Sequence, residues 1–141
     1  MAKQVIVVRK DLKMKKGKMT AQGSHSSLGV FLQMMNNGKS LREETPEIIN
    51  GAYTLKLDVT VGSDLDNWLR GVFRKITLAV NSEEELMDIY FKAKEKGLPV
   101  VLIEDSGLTV FNGVKTKTCL AIGPCNSEEI DKITGHLPLM S

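Results

Sequence analysis

The chain has 141 residues, of which 42% are hydrophobic and 26% charged, a composition typical of one soluble domain that buries its own core. Its first apolar run, VIVV at 5–8, is too short for a signal-peptide core or a membrane span, so we expect a cytoplasmic protein without a membrane partner. Two cysteines and two histidines outside any cluster offer too few ligands for a structural zinc site, and we predict no metal.

The net charge of +2 is unevenly distributed. Residues 1–18 carry seven lysine and arginine side chains against Asp11 alone. A basic segment on a nearly neutral protein is typical of a surface that meets a polyanion. A solvated lysine-rich turn explains the same charges equally well.

The first half of the chain predicts a strand, a long helix and a less regular middle. Residues 3–9 form a buried, β-branched strand. A helix follows over about 18–36, with a core-facing apolar stripe at i, i+3, i+4, i+7, formed by Leu28, Phe31, Leu32 and Met35. Beyond a loop, the alternating segment YTLKLDVTV (53–61) predicts a half-buried strand. A short capped helix comes next, and we expect Trp68 to anchor it to the core.

The second half alternates more clearly between strands and helices. We predict strands over 72–80, 98–105 and 115–124, the last closed by its Gly-Pro pair. Between the first two lies a helix with Ser82 as N-cap, and Asn126 caps a final short helix. This alternation predicts an α/β layered domain in which residues 72–103 form a βαβ crossover.

Two groups of polar residues could carry chemistry. At about 100° per residue, Lys18, Gln22 and His25 lie on one edge of the buried face of their helix, among small residues that let a substrate or another backbone approach. An ordinary solvated helix face is the alternative. Asp105 ends a buried strand, at the edge where open α/β sheets bind ligands, and a carboxylate there can orient a water or accept its proton. A turn-forming aspartate is the alternative there.

Three blocks of sequence carry a family resemblance. QVIVVRKDLKMKKGKMTAQGSHSS, SEEELMDIYFKAKEKGLPVVLIEDSGLT and TKTCLAIGPCNSEEIDKITGHLPL closely resemble the type 2 peptidyl-tRNA hydrolases, in the same order along the chain. The resemblance covers nearly the whole chain except about residues 36–70. Because three separate blocks agree, it is far more specific than any single motif.

The resemblance implies a fold and a reaction. The fold is a single-domain three-layer α/β sandwich over residues 1–141, with a mixed sheet of about four strands, helices on both faces and an extended middle segment at about 36–70. Such enzymes are usually homodimers and use no cofactor. They act on peptidyl-tRNA, hydrolysing the ester between the peptide's C-terminus and the 3′-terminal ribose. The alternative is a non-catalytic RNA-binding or protein-interaction module on the same fold.

The resemblance also implies the site residues. The helix motif of the family corresponds to Lys18, Gln22, Ser24 and His25, and its Asp-Ala-Gly-x-Thr motif falls on 105–109, with Ser106 in place of alanine. We expect Lys18, His25 and Asp105 to be catalytic, and either His25 or Asp105 to take the proton. The expected substrate-binding residues are Gln22, Ser24, Thr109 and Thr118, with Thr116 close enough to confuse the alignment. The expected contacts to the tRNA backbone are Lys10, Lys13, Lys15 and Lys16.

Overall fold

The computed structural model of the chain describes residues 1–107 and 111–141. Within these ranges the strands are β1 (Ala2–Arg9), β2 (Lys75–Val80), β3 (Val100–Asp105) and β4 (Thr116–Asn126). The α-helices of the same ranges are α1 (Lys16–Met34), α2 (Asp64–Arg70), α3 (Glu83–Glu95) and α4 (Ser127–Thr134). No helix in this part of the chain is long and apolar enough to cross a bilayer.

The four strands form one mixed sheet in the order β2-β1-β4-β3. Strand β1 is parallel to β2, and β4 is antiparallel to both of its neighbours. The crossover from β2 through α3 therefore carries the chain to the opposite edge of the sheet, where β3 runs parallel to β1. Both the mixed sheet and the predicted βαβ crossover are confirmed.

Helices cover both faces of the sheet. Val5 and Val7 of β1 pack on one face with residues of α3 and α4, including Leu86 and Ile130. The alternate β1 residues pack on the other face, where Val30 of α1 joins them. Strand β1 is thus buried on both sides, which explains its unbroken run of β-branched residues. The three-layer prediction is confirmed.

The predicted apolar face of α1 is wrong. The buried residues of this helix are Gln22, Gly23, Ser26 and Val30, whereas Leu28, in the middle of the expected stripe, is 57% exposed. The stripe lies on roughly the opposite side of the helix. The small residues face the sheet because they allow close packing: a Cβ added to Gly29 would lie 3.0 Å from Cγ1 of Val101.

The predicted strand over 53–61 is also wrong. Its alternation persists as a pattern of exposure, with Leu55, Leu57 and Val59 partly buried and their neighbours exposed. Residues 53–59 make no hydrogen bond to another backbone segment in the described structure. A period of two shows which side of an extended segment faces the protein, but a strand also needs a partner for its ladder.

Several strand boundaries differ from the expectation by one to three residues. Strand β2 begins at Lys75 rather than at residue 72. Strand β4 does not stop at Gly123–Pro124 but continues to Asn126. The register against β1 shifts between Lys3 and Val5, so Gln4 lies opposite the Gly-Pro pair. A proline is tolerated within a sheet at such a bulge, because the ladder is interrupted there.

Candidate active site

An ion pair joins the first turns of α1 to the end of β3. The Nζ atom of Lys18 lies 2.8 Å from Oδ1 of Asp105, and the two side chains are only 21% and 12% exposed. The other carboxylate oxygen of Asp105 accepts a hydrogen bond from the backbone N–H of Gly107 at 3.0 Å. Helix α1 runs antiparallel to β3, and this brings two residues 87 positions apart into contact.

These contacts fix the charge state of Asp105. The hydrogen bond from Lys18 lowers the pKa of the carboxyl group most, and the Gly107 N–H and the charges of Lys18 and His25 lower it further. Desolvation acts in the opposite direction but does not prevail. Asp105 is therefore a stable anion at neutral pH and a weak proton acceptor.

The turn after Asp105 requires glycine. Gly107 has φ = +80°, and a Cβ at this position would lie 2.4 Å from the carbonyl oxygen of Val114. Its N–H can therefore reach Asp105 only because the residue has no side chain. Thr109, which the sequence assigned to substrate binding, lies outside the described residues.

A buried hydrogen bond lies next to the ion pair. Thr118 of β4 is fully buried and donates its hydroxyl to Oε1 of Gln22, at 2.5 Å. The thiol of Cys119 donates to the backbone carbonyl of Gln22 at 3.3 Å. Thr116 bonds instead to the carbonyl of Val114, two residues away. Thr118 is therefore the threonine that contacts the helix motif.

A β-bulge explains how Thr118 and Cys119 both reach α1. In the register of β3 against β4, Ile103 pairs with Cys119 and Glu104 with Lys117, so Thr118 is the extra residue. Successive side chains of a regular strand point to opposite faces of the sheet. A bulge breaks this alternation and re-aims a side chain, as bulges near active sites often do.

His25 and Ser24 lie in different environments. His25 is exposed and lines a cleft of about 710 Å³ together with Gln22 and Asp105. The hydroxyl of Ser24 donates to the carbonyl of Thr20 in its own helix, and the residue lines a separate apolar groove. The structure thus brings together five of the predicted residues but not Ser24, and these five are Lys18, Gln22, His25, Asp105 and Thr118.

Ion pairs within the protein neutralise part of the positive charge of the N-terminal segment. Lys3 pairs with Asp131 at 2.6 Å, and Arg9 pairs with Asp11 at 2.7 Å. Four exposed lysines remain, and within residues 1–107 and 111–141 none of them has an ion-pair partner. They surround the start of α1, whose N-cap makes no side-chain hydrogen bond. These lysines are Lys10, Lys13, Lys15 and Lys16.

The cysteines are not suited to nucleophilic chemistry. Burial raises the pKa of both thiols, Cys119 and Cys125, to about 11, so they stay protonated at neutral pH. Among the described residues, no group of three or more His, Cys, Asp or Glu side chains is placed to hold a metal ion.

Sequence reasoning missed one aromatic neighbour of the ion pair. The ammonium group of Lys18 lies 6.0 Å from the ring centroid of Phe111, at the limit of a cation–π contact. Phe111 stands 93 residues away in a short 3₁₀ turn over Phe111–Gly113, and no spacing rule connects it to Lys18. Only the folded chain reveals the contact.

The fold is a three-layer α/β sandwich in which the polar residues of the candidate site meet at the carboxyl end of an edge strand. The sequence matches the family described as peptidyl-tRNA hydrolase PTH2 over residues 2–140, and the chain belongs to this family. The family assignment suggested by the three sequence blocks is confirmed.

Relatives of the chain carry the same description over their whole length. A peptidyl-tRNA hydrolase of Methanopyrus kandleri is 41% identical, covering 99% of both chains. One of Methanocaldococcus jannaschii is 41% identical, over 98% of this chain and 99% of its own. A solved structure from Agrobacterium tumefaciens, of unknown function, has 14% identity and a TM-score of 0.56, covering 99% of this chain and 98% of its own. It shows the fold alone.

Proposed function

We propose that this chain hydrolyses the ester between the C-terminus of a peptide and the 3′-terminal ribose of tRNA, in the cytoplasm, with the residues around Lys18 and Asp105. Membership of the peptidyl-tRNA hydrolase family supports the reaction. The observation that carries the choice of site is the Lys18–Asp105 pair beside Gln22, in one cleft with His25. Ester hydrolysis needs a positioned water, a proton acceptor and a stabilised oxyanion, and this cluster offers groups for each role.

His25 is the proposed general base. Its imidazole is exposed to the cleft and makes no hydrogen bond to another described residue, so a water can bind it directly. Asp105 is a poor base because Lys18 lowers its pKa. Its negative charge lies near enough to His25 for the two to interact, and it stabilises the imidazolium that forms when the proton is taken.

Lys18 and Gln22 are the proposed oxyanion donors. The ammonium group of Lys18 is held in place by Asp105, which lines the cleft. The side-chain oxygen Oε1 of Gln22 accepts a hydrogen bond from the hydroxyl of Thr118, and the side-chain N–H groups of Gln22 are the proposed donors to the substrate. One preorganised donor of this kind is typically worth about 2.7–4 kcal/mol of the barrier.

The exposed lysines and the start of α1 are the proposed tRNA contacts. Lys10, Lys13, Lys15 and Lys16 lie in or just before the first turn of α1, where the backbone N–H groups of a helix point towards its N-terminus. Helix N-termini bind phosphate because these groups and the helix dipole both favour an anion. Lys18 lies in the same helix, so a backbone held here brings its terminal ribose towards the ion pair.

A homodimer is the proposed assembly. The outward stripe of α1 continues into an apolar groove of about 550 Å³, lined by residues such as Leu28, Phe31 and Trp68. A second copy would remove this surface from water. Leu28→Glu should then shift the mass measured by light scattering from dimer to monomer. Val72→Glu, at an 88% exposed position outside this groove, is the matched control and should leave the mass unchanged.

Release of labelled peptide from purified peptidyl-tRNA tests the reaction. The parent should release peptide, and Asp105→Asn should lower kcat by 100-fold or more. His25→Ala should lower kcat strongly without weakening tRNA binding. A parent that binds peptidyl-tRNA without cleaving it would instead indicate a binding module. Near-normal turnover by His25→Ala would assign the proton to Asp105.

A further inference from the structure

The cleft beside the site extends along the free edge of the sheet. Strand β3 is outermost, so half of its backbone N–H and C=O groups point away from β4. In the described structure, residues 100–105 make no backbone hydrogen bond outside their own strand pairing. An exposed edge of this kind is a place where an extended chain adds as a further strand.

The cleft is continuous with the reacting groups. His25 and Asp105 line it, and so do Leu32, Leu41 and Tyr90. Because α1 runs antiparallel to β3, Lys18 meets Asp105 at one end of the strand and Gly29 meets Val101 near the other. The cleft therefore leads away from the reacting ester, towards the start of β3.

The charges of the cleft favour a peptide over RNA. Its described lining carries one guanidinium group, that of Arg42, against the carboxylates of Glu43, Glu104 and Asp105. A phosphate backbone needs an excess of cations, which is found at the start of α1 and not here. The remaining lining is largely apolar or neutral, as in grooves that take extended peptides.

We propose that this cleft binds the peptide part of peptidyl-tRNA as a strand added to the edge of β3. The inference rests on the site proposed above, because the ester carbonyl must lie at Asp105. The C-terminus of the peptide then lies at the carboxyl end of β3, so the added strand runs parallel to β3. At about 3.3 Å per residue, the six residues of β3 accommodate roughly four to six residues of peptide. Main-chain pairing makes this binding independent of the peptide's sequence.

A substrate series of increasing peptide length tests the proposal. With peptidyl-tRNAs of one to eight residues, KM should fall about tenfold or more up to four to six residues and then stay constant. N-methylation should weaken binding at every second peptide residue, since only alternate N–H groups of an added strand face β3. A KM that does not depend on length, or an N-methylation effect without alternation, would overturn the proposal.

A pair of variants locates the effect in the cleft. Leu41→Glu should raise KM for a hexapeptidyl-tRNA about tenfold and leave a substrate with one acetylated amino acid unaffected. Leu139→Glu, at a 71% exposed position outside the cleft, is the matched control and should change neither. Equal losses on long and short substrates would contradict peptide binding along β3. Failure of the parent to cleave even the short substrate would refute the proposed function instead, so the two outcomes are distinct.

Discussion

Thr118 shows how one residue's role depends on its backbone. Residues 116 and 118 are both threonines of β4, yet only Thr118 reaches α1. The bulge at residue 118 places its side chain on the same face of the sheet as that of Cys119. Its hydroxyl donates a hydrogen bond to the buried side-chain oxygen Oε1 of Gln22 and so orients the side-chain amide nitrogen. A substitution that removes the hydroxyl leaves this oxygen unpaired in the interior.

Thr118→Val should therefore lower both kcat/KM and stability. An unsatisfied buried acceptor costs about 1–3 kcal/mol, which sets the scale of the loss. Thr118→Ser should restore most of it, and Thr116→Val is the matched control. Steady-state kinetics and urea unfolding of the three variants check this expectation. A Thr116→Val variant more impaired than Thr118→Val would contradict it.

The Lys18–Asp105 pair should appear in the pH dependence of stability. The folded pKa of Asp105 is lowered, so the pair stabilises the protein above the unfolded carboxyl pKa, about 3.9, and this contribution is lost as the pH falls through the folded pKa. Lys18→Met should raise the pKa of Asp105, as observed by carboxyl NMR. The difference in Tm between parent and Lys18→Met should shrink as the pH is lowered from 6 towards 3. A difference that grows on acidification would exclude this ion pair as its source.

At the scale of elements, α1 packs on the sheet through its small residues. Gly23 lies against Ile6, and Gly29 against Val101. This close approach brings Lys18 within reach of Asp105, and it also brings Gln22 within reach of Thr118. Leu28 and Phe31 of the apolar stripe are left outside this contact, where they line the groove proposed as the dimer contact.

Gly29→Val should push α1 away from β3. The first added carbon already lies 3.0 Å from Cγ1 of Val101, and overpacking of this kind typically costs about 1–3 kcal/mol. Gly17→Val in the same helix is the matched control, since nothing lies within 4 Å of its added Cβ. Denaturant unfolding of both variants measures the difference. Equal stability of the two would show that this contact does not fix the helix.

At the scale of the whole molecule, the proposed tRNA-binding surface and the proposed peptide-binding cleft differ in charge. Four exposed lysines, Lys10, Lys13, Lys15 and Lys16, lie at the start of α1, whereas the described lining of the cleft along β3 has more carboxylates than cationic side chains. A peptidyl-tRNA joins a polyanion to a chain of variable sequence at one ester bond. The ion pair lies where these two surfaces meet, as the proposed reaction requires.

Neutralising the four lysines to glutamine should flatten the salt dependence of tRNA binding. Each phosphate contact contributes about 0.7–0.9 to the slope of log K against log salt, so the slope should fall by about 3 if all four bind phosphate. Four lysines on the opposite face are the matched control: Lys92, Lys94, Lys96 and Lys132. Filter binding at several salt concentrations measures both. An unchanged slope in the first variant would place the tRNA elsewhere.

The amino-acid sequence by itself predicted most of the elements, the family and the residues of the candidate site. Strand β1, helix α3 with its Ser82 cap and the final helix follow from local patterns of burial and capping. The resemblance selected Lys18, Gln22, His25 and Asp105, and the structure brings all four together. Their chemical roles are proposals that the kinetic experiments above test.

Only the tertiary structure decided which face of α1 packs on the sheet, whether residues 53–61 pair with another strand, and where the side chain of Thr118 points. The spacing of the hydrophobic residues predicted the wrong buried face of α1. The helix packs on the sheet through its small residues, because the strand residues opposite them, such as Val101, leave no room for larger side chains, and the sequence of the helix does not show this. The same holds for residues 53–61, whose alternation lacks a neighbouring strand, and for Thr118, whose orientation depends on the register with β3. Local patterns encode which residues can be buried. Packing and register, which join distant segments, decide where they face.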